Sequence, residues 1–245
     1  LAGPQEVYAQ RYDAHGVKQG SEFHINTVGA GSFNLLPAIT ALTDGGFVVS
    51  WETTAYYDFY AYDPDYPDIV AQRYDANGVP QGSEFLVSTL TMGGDGISIA
   101  ALNDGGFVVS WESYVGQNLY AKRYDANGNA QGDEFLVSID YGSRPSISGL
   151  ADGGFVVTWM TTYDGIHARL YDANGYAQGG EFLVNTTDQN QSFPAVTALT
   201  DGGFVVAWFA TAWSTSEHGI YIRRYDAAGI PQGDEILIST PAVNS

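Results

Sequence analysis

The chain has 245 residues, 44% of them apolar, which is enough to bury a core, and it has no apolar run long enough to span a membrane. Twenty-eight acids against nine bases give a formal charge of −19, which excludes a phosphate-backbone partner and disfavours an anionic membrane surface, since both need clustered Lys and Arg. The absence of Cys excludes a disulfide framework and thiolate metal or redox chemistry.

One two-part phrase organises the whole chain. Residues 9–25 read AQRYDAHGVKQGSEFHI, and this second half returns as AQRYDANGVPQGSEFLV at 71–87, AKRYDANGNAQGDEFLV at 121–137, ARLYDANGYAQGGEFLV at 168–184 and IRRYDAAGIPQGDEILI at 222–238. The first half reads PAITALTDGGFVVSW at 37–51, SIAALNDGGFVVSW at 98–111, SISGLADGGFVVTW at 146–159 and PAVTALTDGGFVVAW at 194–208. Tyr12, Tyr74, Tyr124, Tyr171 and Tyr225 lie 62, 50, 47 and 54 residues apart, the spacing of a blade or array unit. The chain opens without Met and in mid-repeat, as a processed chain or an excised piece would, and no signal peptide is recognisable.

Within a unit, AITAL and FVVSW flank Thr43-Asp44-Gly45-Gly46, where paired glycines supply the positive φ of a tight hairpin between strands A and B. Phe47, Val49 and Trp51 alternate with Val48 and Ser50, so strand B is apolar on both faces and covered on both. Asp75-Ala76-Asn77-Gly78 is again hairpin chemistry and joins strands C and D, with Asn77 or Gly78 in the left-handed region. No segment carries a helical apolar period. The fold expected is an all-β propeller, one repeat domain over residues 1–245. It has an N-terminal half-unit at 7–25 and four complete four-stranded units at 37–88, 98–138, 146–185 and 194–239, giving five-bladed pseudo-symmetry with one blade incomplete. A four-bladed ring with an extra hairpin and an open repeat array are the alternatives. Small residues Ala41, Ala101, Gly149 and Ala198 on strand A suit a crowded axis. The C-terminus offers only the beginning of another strand A, Thr240-Pro241-Ala242-Val243, so half-units could pair between molecules.

The A–B and C–D turns are repeated phrases, whereas the B–C and D–A connections differ in every copy, so variation gathers on one face, where a shared scaffold displays binding loops. Those connections hold eleven acids against one base, Arg144, together with eight of the seventeen Tyr and Trp213. An acidic, aromatic face suits neutral sugars, cations or basic peptides. The ligand-binding candidates are Tyr56, Tyr57, Tyr60, Tyr62, Tyr66, Glu52, Glu112, Tyr114, Tyr163 and Trp213. Asp58, Asp63, Asp65 and Asp68 crowd one insert, where like charges ~5 Å apart repel by roughly 3 kcal/mol at an effective dielectric of ~20. Oxygen-ligated Ca²⁺ would relieve that repulsion, although the spacing is not that of an EF-hand. The recurring Trp51, Trp111, Trp159 and Trp208 read first as packing between blades and second as sugar platforms. The recurring Arg11, Arg73, Arg123, Arg169 and Arg224 are expected to pair with a repeated carboxylate. Glu52 and Glu112, with Asp58 or Asp164, could form a carboxylate pair of the glycosidase kind, though two blades place Met160 and Phe209 there instead. His15, His24, His167 and His218 show no ligand or triad spacing.

The phrases DGGFVVSW and AQRYDANGVPQGSEFLV resemble the tandem repeats of large secreted haemolysin-type (RTX-associated) bacterial proteins, over nearly the whole chain. The resemblance implies export by type I secretion into a setting where Ca²⁺ is available, alongside calcium-binding and adhesive modules. The nonapeptide calcium repeats of such proteins are absent, so no Ca²⁺ ligand carries over. The function expected is a non-enzymatic extracellular binding or adhesion module that recognises glycans or surface partners. A self-assembling structural module and a polysaccharide-acting glycosidase are the alternatives.

Overall fold

The computed structural model describes residues 5–27, 33–54, 68–88, 96–113, 118–138, 141–162, 165–186, 190–211 and 218–239. Strands β1 (Tyr8–Tyr12) and β2 (Lys18–His24) form a hairpin. The first four-stranded blade follows as β3 (Phe33–Ala41), β4 (Phe47–Thr54), β5 (Asp68–Tyr74) and β6 (Phe85–Ser88). The second is β7 (Ile97–Ala101), β8 (Phe107–Ser113), β9 (Asn118–Tyr124) and β10 (Phe135–Ser138). The third is β11 (Ser143–Gly149), β12 (Phe155–Met160), β13 (Ile166–Tyr171) and β14 (Phe182–Leu183), and the fourth is β15 (Asn190–Ala198), β16 (Phe204–Thr211), β17 (His218–Tyr225) and β18 (Ile236–Ser239). Every pairing is antiparallel and the described residues contain no helix, so the chain is the expected all-β propeller of four complete blades and a half-blade.

The repeated phrases act at identifiable points. In each A–B turn the Asp carboxylate accepts the N–H of the second glycine, as Asp104 Oδ1 does from Gly106 at 2.9 Å, and the first glycine takes a positive φ, 87° at Gly105. The second glycine has no room for a side chain: a Cβ on Gly46, Gly106, Gly154 or Gly203 would overlap the carbonyl oxygen of Tyr74, Tyr124, Tyr171 or Tyr225. Gly106→Ala should therefore cost about 1–3 kcal/mol by overpacking, whereas Gly132→Ala, whose Cβ meets nothing, should cost only its φ strain; urea midpoints of the two variants compare them. In each C–D turn the Asp carboxylate takes two backbone N–H groups, as Asp75 Oδ1 does from Asn77 at 2.8 Å and Val79 at 2.9 Å, and Gly78 rather than Asn77 occupies the left-handed region at φ 83°.

Three of the repeated arginines meet the A–B turn of their own blade, as Arg73–Asp44, Arg123–Asp104 and Arg224–Asp201. The other two depart from the expected pairing. Leu170 occupies the third blade's equivalent position, and Arg169, one place earlier, donates to Val137 O at 3.4 Å. The half-unit has no A–B turn among the described residues, and Arg11 donates instead to Asn77 O at 2.7 Å.

Blades join through a repeated interface. One face of strand B and its partner, such as Phe107, Val109, Trp111 and Tyr124, packs on the alternate face of the preceding blade, Val48, Ile69, Ala71 and Val87. The same set recurs between the second and third blades and between the third and fourth. The β1–β2 hairpin covers the first blade in the same way, through Val7, Ile25, Ala9 and Phe23 against Val49, Trp51 and Tyr74. Phe47–Tyr74, Phe107–Tyr124, Phe155–Tyr171 and Phe204–Tyr225 stack at 4.8–5.0 Å.

The innermost strands β3, β7, β11 and β15 stand side by side. Hydroxyls on one accept backbone N–H groups of the next: Thr40 from Ala101 at 3.2 Å, Ser98 from Ile147 at 3.1 Å, Ser146 from Val196 at 3.1 Å and Ser148 from Ala198 at 3.0 Å. A Cβ on Gly149 would overlap the Ala101 carbonyl oxygen, so the expected crowding at the axis is real. Among the described residues the arc is open beside β3. Ile39 on β3 is 61% exposed, against 8% for Ile99 and 6% for Ile147 at the same place in the next two blades.

Candidate functional site

The end of the propeller that carries the variable connections is built from the last residues of each strand B and the first residues of each strand A. Glu52 and Glu112 sit there at equivalent positions of β4 and β8, only 6% and 8% exposed. Glu52 lies opposite Leu35 on β3 and Ile69 on β5, and Glu112 lies opposite Leu119 on β9 while its N–H reaches Gly96 O at 3.3 Å. Both belong to the face of strand B that looks towards the following blade, because they share the alternation of Val48 and Val108. The third and fourth blades put Met160 and Phe209 at this position, so the carboxylates occupy two adjacent blades and no others.

The adjoining inner rim was not anticipated. Strand A enters each of three blades through a bulge: the register shifts between Leu35 and Ala38, between Ser143 and Ser146, and between Ser192 and Ala195. The extruded residue is left-handed each time, Leu36 at φ 50°, Arg144 at 52° and Phe193 at 55°, and each precedes a proline. Such conformations cost of order 1–3 kcal/mol and gather at functional sites. Adjacent blades bring two of these residues together: the Arg144 guanidinium lies 4.4 Å from the Phe193 ring centroid, and Gly96 sits against Arg144 and Pro145. The available signal was the X-Pro dipeptide opening strand A in three of four copies.

The four repeated tryptophans lie within the blade interfaces, fully buried, so their packing reading holds and they are not open platforms. The Trp51 indole N–H donates to Asn34 Oδ1 at 3.2 Å, and Asn34 is itself buried and tied to Gln5 O at 2.9 Å. Of the remaining candidates, Tyr56, Tyr57, Tyr60, Tyr62, Tyr66, Tyr114, Tyr163 and Trp213, and the acids Asp58, Asp63, Asp65 and Asp164, lie outside the described residues. Asp68 opens β5, but its side chain is not among those described. The described residues hold no group of three or more potential metal ligands.

No protein-family model and no curated protein matches the sequence. Solved structures do match the fold. A GH93 α-L-arabinofuranosidase of Fusarium graminearum, solved with arabinobiose, aligns with a TM-score of 0.57 at 12% identity over 85% of this chain and 68% of that one. An α-L-arabinanase of Penicillium chrysogenum, also with arabinobiose, gives 0.54 at 13% over 84% and 67%. A GH43 β-1,3-galactosidase with galactodeoxynojirimycin gives 0.53 at 9% over 88% and 80%. The expectation of a non-enzymatic binding or adhesion module is corrected by these neighbours, which are glycosidases. At this identity, what the chain shares with them is the β-propeller fold.

Proposed function

We propose that the chain is a glycan-acting enzyme of the glycoside hydrolase kind, with Glu52 and Glu112 as its carboxylate pair. The observation that carries this reading is the breaking of repeat symmetry at one rim position: two neighbouring blades bury a carboxylate where the other two carry Met160 and Phe209. Cleaving a glycosidic bond takes two carboxyl groups flanking it, one protonating the leaving oxygen and the other acting on the anomeric carbon directly or through water. A packed propeller fixes both groups on rigid strands, as such geometry requires. The left-handed rim of Leu36, Arg144 and Phe193 adds apolar surface beside them, on which the face of a sugar ring can rest. The shared fold with an arabinofuranosidase, an arabinanase and a galactosidase supports arabinose- or galactose-containing polysaccharides as the first substrates to test. The acidic variable connections favour neutral glycans over polyanionic ones.

The test is release of reducing sugar from arabinan, galactan and arabinogalactan. Glu52→Gln and Glu112→Gln should each lower the rate by about 10²–10⁴-fold, the contribution of a positioned acid or base, with the thermal midpoint unchanged. Turnover that survives both substitutions would remove these residues from the chemistry.

A further inference from the structure

The outward face of the fourth blade departs from the repeat in a consistent direction. On β16, Phe204, Val206, Trp208 and Ala210 face the third blade, while Val205, Ala207 and Phe209 face away and are only half-buried. Ile222 and Ile220 on β17 lie opposite Ala207 and Phe209, Ile236 on β18 lies opposite Ile222, and Ile236 is 58% exposed.

Each of these residues replaces one that is covered by a neighbouring blade elsewhere. Ala207 stands where the other blades have Ser50, Ser110 and Thr158, and Phe209 stands where they have Glu52, Glu112 and Met160. An exposed face is thus more apolar than its buried counterparts, the reverse of what solvent favours. Ile222 stands where Ala71, Ala121 and Ala168 make space for Trp111, Trp159 and Trp208 of the next blade. Filling that space narrows the socket that receives a Trp in the other blades.

We propose that this face is a self-association surface, on which the same face of a second copy packs about a two-fold axis. Charge permits the match. β15, β16, β17 and β18 contain no acidic residue in a chain of net charge −19, and the outward Arg224 is already held by Asp201. Two copies can therefore approach through this face without opposing like charges, and sheet-on-sheet packing is how the blades themselves cohere.

Sedimentation over a wide range of concentrations tests it. A monomer–dimer equilibrium is expected, with Ile236→Lys and Phe209→Lys each weakening association at least about tenfold and Tyr12→Lys, on the exposed face of the β1–β2 hairpin, leaving it unchanged. Ile236 is exposed, so its variant should fold with an unaltered circular dichroism spectrum and melting point. A monomer at every concentration, or dissociation caused by Tyr12→Lys in place of the fourth-blade variants, would overturn the proposal.

Discussion

Trp111→Ala is expected to lower stability by about 3–5 kcal/mol, the cost of truncating a large buried aromatic side chain. The ring is fully buried between the first and second blades, packed with Val48, Ile69 and Ala71 and stacked on Tyr120 at 6.2 Å. Val48, Ile69 and Ala71 are short side chains fixed on the facing sheet, so the cavity cannot collapse without moving two sheets. Ile222→Ala removes bulk at the one equivalent of Ala71 that is not packed on a following blade, and should cost a fraction of that. Urea denaturation of the two variants makes the comparison. A Trp111 variant that stays within about 1 kcal/mol of the native protein would mean the ring is not structural.

The second large effect is alkaline. Burial raises the phenols of Tyr74, Tyr171 and Tyr225 to about 12, offset in part by Arg169 at Tyr171 and Arg223 at Tyr225, and burial raises Tyr124 further. Their hydroxyls sit in the blade interfaces: Tyr74 donates to Ile25 O and Tyr225 to Val184 O, both at 3.0 Å. A folded-state value above the unfolded one, near 10, means that the protonated phenol favours folding. That stabilisation is complete below about pH 10 and is lost as pH rises through about 12. Between the two values each tyrosine removes at most ~1.4 kcal/mol per pH unit, so four together draw off an amount comparable with the 5–15 kcal/mol stability of a typical domain. Circular dichroism should therefore be lost in one steep transition above pH 10, accompanied by the phenolate absorbance of these four tyrosines. Smooth ionisation of all tyrosines near pH 10 without unfolding would contradict these interfaces.

Repetition made the blades readable, because DGG and DANG report turns whose chemistry is local: an Asp that caps its own turn and a glycine in the left-handed region. The Phe–Tyr stacks and the Trp sockets follow from the alternation of FVVSW. What stayed hidden depends on neighbours. Arg169 stands one place before the repeat position, held in the third blade by Leu170, and nothing local shows that Arg144 and Phe193 of neighbouring blades meet at one rim. Function was hardest to read, since the repeated phrases are scaffold and the proposed chemistry rests on two positions, Glu52 and Glu112, where the copies disagree.

Inverting glycosidases hold their two carboxyl groups ~6.5–9.5 Å apart and retaining ones ~5–5.5 Å, so the anomeric configuration of the first product reports the separation of the working pair. The most direct measurement is therefore proton NMR of the anomeric signals during digestion of arabinan or galactan. New reducing ends should appear with a single anomeric configuration, and both Glu52→Gln and Glu112→Gln should suppress them. An absence of new reducing ends from any neutral glycan would contradict an enzymatic role for this propeller.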